Sequence, residues 1–434
     1  MNTFVFVANP GINQGKLEGS KAALKDCLPY LDQQIDEGTI HMPEESCGWF
    51  WLQQNIPDHP PLITSTITDR FIVIAYGDPL NHTSLPAAQS ILDEWQRGGA
   101  GAVGELNGNF GAVILDRHER VIHLASDLIG HRALRYWHGN GAFAASPHDL
   151  ALFSTGLIPA EFDYQQAAAL IVNGWSWEGK SLLRHISNGR GGDSISWDWE
   201  RLQHRPAQII DPLKRIESND KRAIKRNFEH LIDEARDNVK AVVKSAPVIH
   251  TELTAGEDSR AVLSLLLAET RPEQIVAITD GEQESLDASV ARRIATMYGV
   301  RHLILETETR YAELEDFRYG VEGYAFAMNA NANAMYSATG RRKIEAAGRV
   351  TCTGTGSEVF RGFYYVDLGW PPPYPLTRDV VIKTLAGSKK AEMLPWSIPE
   401  YSEAVLARGA SCIEGLAVEV GVVAQSQERA RERL

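Results

Sequence analysis

The sequence is poor in cysteine, and the little it has is scattered. Its four cysteines, Cys27, Cys47, Cys352 and Cys412, form no C-x-x-C pair, which argues against a zinc site and against a disulfide framework. They read as free thiols in a reducing compartment. The thirteen histidines include no H-x-x-x-H pair and no H-E-x-x-H, so a transition-metal centre is not expected. No apolar run approaches the roughly 20 residues of a membrane helix, and the start, M-N-T-F-V-F-V-A-N-P-G, lacks a basic leader and a cleavage site. A cytoplasmic protein with no membrane partner is the expectation. Positive charge is also short: 43 Lys and Arg face 56 Asp and Glu, a formal net charge of -13. That balance argues against nucleic acid as the main partner, because such binding neutralises phosphates with cations.

What is present describes an ordinary soluble globular protein, 44% hydrophobic and 23% charged. At 434 residues the chain exceeds one core, and two domains are expected. Up to residue 200 strand signals dominate: short apolar runs at Phe4–Ala8, Phe71–Tyr76, Gly111–Asp116, Val121–Ser126 and Ala142–Ala145 are separated by Gly, Asn, Asp and Pro. Helical spacing at Ser84–Arg97 and His148–Phe153 makes this a layered α+β domain. A linker is expected over 201–219, where Pro206 and Pro212 break the pattern, and an amphipathic helix over Asp220–Val243. Strand and helix then alternate. Strands are expected at Val248–Leu253, Ile275–Thr279, His302–Glu306 and Arg349–Cys352, and helices at Arg260–Glu269, Leu286–Tyr298 and Ala325–Glu345. Such alternation means a parallel sheet flanked by helices, with ligand outside the carboxyl ends of the strands.

The stretch V-I-H-T-E-L-T-A-G-E-D-S-R from Val248 to Arg260 has the makings of a phosphate cradle. Val248–Leu253 reads as a buried strand, Thr254–Ser259 as a turn, and Arg260 as the start of helical spacing. Ala255 and Gly256 let the backbone approach an anion, Thr254 and Ser259 offer hydroxyls, and the helix start presents N–H groups. An acid there would repel bare phosphate, so Asp258 makes most sense as a ligand of magnesium bridging to phosphates. The same residues also suit an ordinary strand-to-helix turn with a capping Asp or Ser.

T-A-G-E-D-S at Thr254–Ser259 resembles the S-G-G-x-D-S pyrophosphate loop of the asparagine synthetase family, glutamine-hydrolysing class. Three stretches of the first half, L-N-G-N-F-G at Leu106–Gly111, A-S-D-L-I-G-H-R-A-L-R-Y at Ala125–Tyr136 and F-A-A-S at Phe143–Ser146, resemble that family's glutaminase strands in order. They imply an N-terminal nucleophile hydrolase sandwich over residues 1–200. The family's chemistry there needs a cysteine at position 2, and this chain has Asn2, then Thr3; a carboxamide is no nucleophile, and Thr3 would need removal of Met1 and Asn2 to acquire an α-amine as base. Tyr76 stands where the family has a glutamine-binding asparagine. The resemblance therefore implies a first domain without glutaminase activity.

The second domain, residues 220–434, resembles the family's adenine-nucleotide α-hydrolase, or ATP pyrophosphatase, fold. D-A-S-V-A-R-R-I-A-T-M-Y-G-V at Asp287–Val300 matches its helix after the second strand, and Thr279 would border adenosine. V-T-C-T-G-T-G-S-E-V-F-R-G-F-Y-Y at Val350–Tyr365 resembles the second nucleotide loop, with Gly354 and Gly356 in the turn, Glu358 in place, and Ser357 where an acid is usual. Arg260 and Arg361 have counterparts in shorter relatives, the β-lactam synthetases and lasso-peptide cyclases, which also lack the cysteine. The resemblance implies ATP and Mg2+ held at Thr254, Ala255, Gly256, Asp258, Ser259, Arg260, Thr279, Gly354, Gly356 and Ser357, with Asp258 and Glu358 as metal ligands. Asp258, Glu358 and Lys390 would carry catalysis, Lys390 stabilising a developing oxyanion. Few apolar segments follow Leu416–Val423, where the family adds helices over the acceptor pocket, so a reduced lid or a fragment is expected. The implied activity is adenylation of a small-molecule or peptide carboxylate for capture by an amine or ammonia. The alternative is a catalytically inactive nucleotide-binding or interaction protein.

Overall fold

A computed structural model describes residues 2–27, 35–55, 61–80, 85–167, 180–189, 191–198, 203–208, 221–305 and 350–354. The first part opens with β1 (Thr3–Ala8), α1 (Gln14–Asp26), β2 (Ile35–Met42), β3 (Cys47–Gln54), β4 (Ile63–Ile67) and β5 (Phe71–Pro79). It continues through α2 (Ala87–Val103), β6 (Gly108–Asp116), β7 (Val121–Ser126), β8 (Arg135–Gly139), β9 (Ala142–Ser146) and α3 (Asp149–Phe153). Then come β10 (Ser187–Asn188), β11 (Asp193–Asp198) and β12 (Gln203–Gln208). These strands make two six-stranded sheets, ordered β10-β8-β9-β1-β3-β2 and β12-β11-β7-β6-β5-β4. Neighbours such as β1 and β3, or β5 and β6, run antiparallel.

One apolar core joins the sheets face to face. Phe4, Phe6, Trp49, Tyr136 and Phe143 come from the first sheet, and Ile72, Ile74, Val113, Leu115, Leu124 and Trp197 from the second. The alternate residues of β5 and β6, Phe71, Val73, Phe110 and Ile114, turn to the opposite face and pack against Ala88, Ile91 and Leu92 of α2, as the two-residue period of a strand requires. Helices α1 and α3 lie against the first sheet. Covered on both faces, β1 is buried at every residue, which is why it reads as an unbroken apolar run rather than an alternating one.

The second part contains α4 (Lys221–Ser245), β13 (Ile249–Glu252), α5 (Glu257–Glu269), β14 (Ile275–Asp280), α6 (Leu286–Tyr298), β15 (Arg301–Leu305) and β16 (Val350–Cys352). Its four strands form one sheet in the order β15-β14-β13-β16, parallel throughout. Ile249, Leu253, Ile275 and Ala277 bury against Leu263 and Leu266 of α5 and Ala291 and Ala295 of α6.

By internal contacts the described residues fall into two compact units, one reaching to Ile158 and resuming from Asn188 to Gly354, the other within Pro159–Ser187. In the second, bridges join Phe162 to Leu183 and Lys180 to Ser187, and the Asp163 amide donates to the Leu182 carbonyl at 2.8 Å. Gln203–Gln208, within the stretch expected as a linker, is instead a strand, pairing with β11 from Asp193↔Gln208 to Asp198↔Gln203. Pro206 breaks a periodic pattern but can still sit in the last strand of a sheet. The helix expected at Ala325–Glu345 lies outside the described residues. No helix among the described residues is long and apolar enough to cross a membrane.

Candidate functional site

From β13 the chain runs on toward β14 and β15 in one direction, while β16 joins it from the other side. A parallel sheet whose strand order reverses in this way opens a crevice beyond the carboxyl ends of the two strands at the reversal. Those ends are Leu253–Gly256 after β13 and Thr353–Gly354 after β16.

Helix α5 begins at Glu257, three residues earlier than the apolar spacing implies, so Asp258 and Ser259 belong to its first turn. Spacing of leucines marks only the buried stripe; the first turn carries acids and leaves no apolar mark. The cap residue Gly256 is extended, with φ -66° and ψ 149°, and offers no side-chain acceptor to the first-turn amides. Uncapped helix amides of this kind accept anions.

Inside the loop, the hydroxyls have structural partners. The Thr254 amide donates to Ser259 Oγ at 3.0 Å, the Gly256 amide to Thr254 Oγ1 at 3.0 Å, and the Ser259 hydroxyl to the Gly256 carbonyl at 3.2 Å. Thr254 and Ser259 therefore shape the loop rather than standing open to a ligand. Exposed Arg260 returns its Nε to the Gly256 carbonyl at 3.2 Å. Thr279 is 1% exposed; its hydroxyl donates to the Leu253 carbonyl at 2.6 Å and lies 2.9 Å from His302 Nε2. With its proton engaged by the carbonyl, Thr279 Oγ1 is the acceptor for the histidine N–H. Burial, then Arg292, lowers the His302 pKa from its ordinary value, in keeping with that neutral role.

Gly354 brings the second glycine-rich stretch to the first. A Cβ there would lie 2.9 Å from Asp258 Cβ and 3.2 Å from the Ser259 amide nitrogen, so the end of β16 is seated on the first turn of α5. Half-buried Asp258 thus lies against the residue that follows the end of β16. Gly356, Ser357, Glu358, Arg361 and Lys390 lie outside the described residues. Among the described residues no group of three or more His, Cys, Asp or Glu could hold a metal by itself. Magnesium bound through one or two carboxylates plus phosphate oxygens needs no such cage, and Asp258 offers one half-buried carboxylate in the first turn of α5. The residues present fit that group.

One contact has no counterpart in the sequence reading: the Ala255 amide donates to Asp287 Oδ1 on α6 at 2.7 Å. In the sequence Asp287 stands only as the first residue of the D-A-S-V-A-R-R stretch, with no role of its own.

In the sandwich, Thr3 is 0% exposed, and its Oγ1 lies 3.0 Å from His148 Nδ1. Burial, with Arg135 and Arg132 adding to it, pushes the His148 pKa down to about 3. Tyr76 is buried; its hydroxyl accepts from Arg132 Nη1, whose guanidinium lies over the ring at 4.6 Å. Tyr76 and Arg132 thus form a hydrogen-bonded, stacked pair. Burial pushes the Cys47 thiol up to about 12 and the Cys352 thiol up to about 11, so neither is a ready thiolate.

Fold and site together define a two-sheet α+β sandwich followed by a parallel α/β sheet with a strand-loop-helix turn at its carboxyl edge. No protein-family model and no curated protein matches the sequence. Among solved structures the chain is similar to one described as the allosteric regulatory enzyme of purine biosynthesis, at 10% identity over 70% of this chain and 80% of that one, with TM-score 0.33. It is also similar to the glutamine phosphoribosylpyrophosphate amidotransferase from B. subtilis complexed with ADP and GMP, at 11% identity over 73% and 68%, with TM-score 0.32.

Proposed function

We propose that this chain is an ATP-dependent, AMP-forming amide-bond ligase of asparagine synthetase type, with an N-terminal nucleophile hydrolase-like sandwich that has no glutaminase role. The observation that carries the reading is the uncapped start of α5, with Asp258 in its first turn and Gly354 seated on it, at the reversal of a parallel sheet. A substrate carboxylate would attack the α-phosphate of ATP, pyrophosphate would leave, and an amine or ammonia would displace AMP from the acyl-adenylate. First-turn amides of α5 would stabilise charge on the departing pyrophosphate. Asp258, with Glu358, would hold Mg2+, which when bound offsets the phosphate charge. Lys390 would face the oxyanion formed as the amine attacks.

Titration calorimetry tests the nucleotide site. Wild type binds ATP with magnesium, and Asp258→Ala binds it at least about tenfold more weakly, the loss expected for a charged contact of roughly 1.5 kcal/mol. Equal affinities would remove Asp258 from the site. A second reading, an inactive nucleotide-binding protein, draws on Ser357 standing where the family has an acid. Pyrophosphate release across a magnesium titration separates the two: a ligase loses release in Glu358→Ala and keeps it in Ser357→Asp, whereas an inactive binder releases none under any condition.

A further inference from the structure

We propose that Asp287 is the positioning residue of the loop between β13 and α5; the inference rests on the reading of that loop as the nucleotide site. The ordinary role of an acid in a first turn is to complement its own helix. Here Ser285 already caps α6, accepting from the Ala288 amide at 3.2 Å, and the Asp287 carboxylate reaches out of its helix to the Ala255 amide at 2.7 Å. That is a charge-assisted bond of short length. Buried Thr279, on the strand preceding α6, grips the Leu253 carbonyl at 2.6 Å. The β14–α6 unit therefore clamps the peptide on either side of Thr254, one bond on the carbonyl before it and one on the amide after it.

The sign of the effect follows from which donors are engaged. Asp287 takes the Ala255 amide, and Thr254 takes the Gly256 amide. The donors suited to a phosphate are those of the α5 first turn, to which the cap supplies no acceptor, and the Asp287 bond does not occupy them. Asp287 thus holds the loop through the Ala255 amide without engaging the first-turn amides of α5. Pre-forming the loop lowers the ordering cost of binding.

Three proteins test this: wild type, Asp287→Ala and Asp287→Asn, the last keeping an acceptor oxygen at the same place. Hydrogen exchange of the Ala255 amide reads the clamp without reference to function. Exchange is faster in Asp287→Ala and close to wild type in Asp287→Asn. Calorimetry with ATP and magnesium then reads the consequence: affinity falls about tenfold in Asp287→Ala, one charge-assisted bond of about 1.4 kcal/mol, and is rescued in Asp287→Asn. Unchanged exchange in Asp287→Ala overturns the clamp, and tighter ATP binding by Asp287→Ala would make Asp287 a competitor of phosphate instead. A wild type that binds no ATP defeats the nucleotide reading alone, while the exchange result still decides the clamp.

Discussion

At Gly354 the absence of a side chain is what lets two segments distant in sequence share one site. A methyl at that position would stand 2.9 Å from Asp258 Cβ and 3.2 Å from the Asp258 carbonyl carbon, and helix backbone does not yield cheaply. Gly354→Ala should therefore displace Asp258 and weaken ATP–magnesium binding by about tenfold or more, a shift of at least ~1.4 kcal/mol. Calorimetry showing wild-type affinity would mean the close approach is dispensable. His148 makes a different prediction. Its pKa falls from an ordinary value near 6.5 to about 3 in the fold, and that of His123 falls to about 4, through burial. Between those values and 6.5 the unfolded chain binds protons that the folded chain refuses. Stability is thus complete above about pH 6.5 and is lost as pH falls toward 4 and then 3, with a slope of up to about 1.4 kcal/mol per pH unit for each histidine. Urea midpoints measured between pH 7.5 and 4.5 should show the decline, and His148→Asn should make it shallower. Parallel declines in wild type and variant would remove His148 as a cause.

Among the elements, α2 is two helical segments joined at a kink, where Gly98 and Gly99 leave helical geometry and Gly99 takes φ 61° and ψ -146°. A side chain is strained there even though a Cβ would meet nothing within 4 Å, so the penalty is conformational rather than steric contact with neighbours. Gly99→Ala should cost about 1–2 kcal/mol of stability, read as a lower urea midpoint with unchanged slope. Gly101→Ala, in a helical segment with equally open surroundings, should be neutral or mildly stabilising, as expected when a glycine is replaced inside a helix. Equal midpoints for the two variants would show that the kink carries no such strain. The segments on either side hold Ala88, Ile91, Leu92 and Val103 against the outer face of the second sheet, which is where a loss at the kink would be transmitted.

For the molecule as a whole, the proposed function gives the two-sheet sandwich no glutaminase role. Asn2 occupies the second position, Thr3 is buried with its hydroxyl beside neutral His148, and Tyr76 is stacked by Arg132. Incubation with glutamine should yield no glutamate above a protein-free blank, and free ammonia or an amine should be the competent nitrogen donor in pyrophosphate-release assays. Glutamate formation above the blank, measured by mass spectrometry, would show that another residue serves as nucleophile.

The amino-acid order alone marked several elements that are buried or strongly periodic, though not β3, whose C-G-W-F-W-L-Q-Q is buried almost throughout. Val121–Ser126 and Leu286–Tyr298 have the expected bounds, β14 ends one residue later than expected and β15 begins one residue earlier; the run of β14 is legible because all but its last residue are buried. It also marked T-A-G-E-D-S as a turn, of which Thr254–Gly256 is loop and Glu257–Ser259 is the first turn of α5. It left α1 hidden, since only Leu17, Ser20 and Leu24 of that helix are buried, and it left β2 hidden, since I-D-E-G-T-I-H-M is half-exposed and gains its strand from pairing with β3. Tertiary structure decided the rest of the site. Whether Gly354 meets Asp258, whether Thr279 reaches Leu253, and whether Asp287 finds the Ala255 amide depend on strand order and on where α6 lies over the sheet. Those bonds join residues with no shared local period, so they exist only once the packing of β13, β14, β16 and α6 has set the distances.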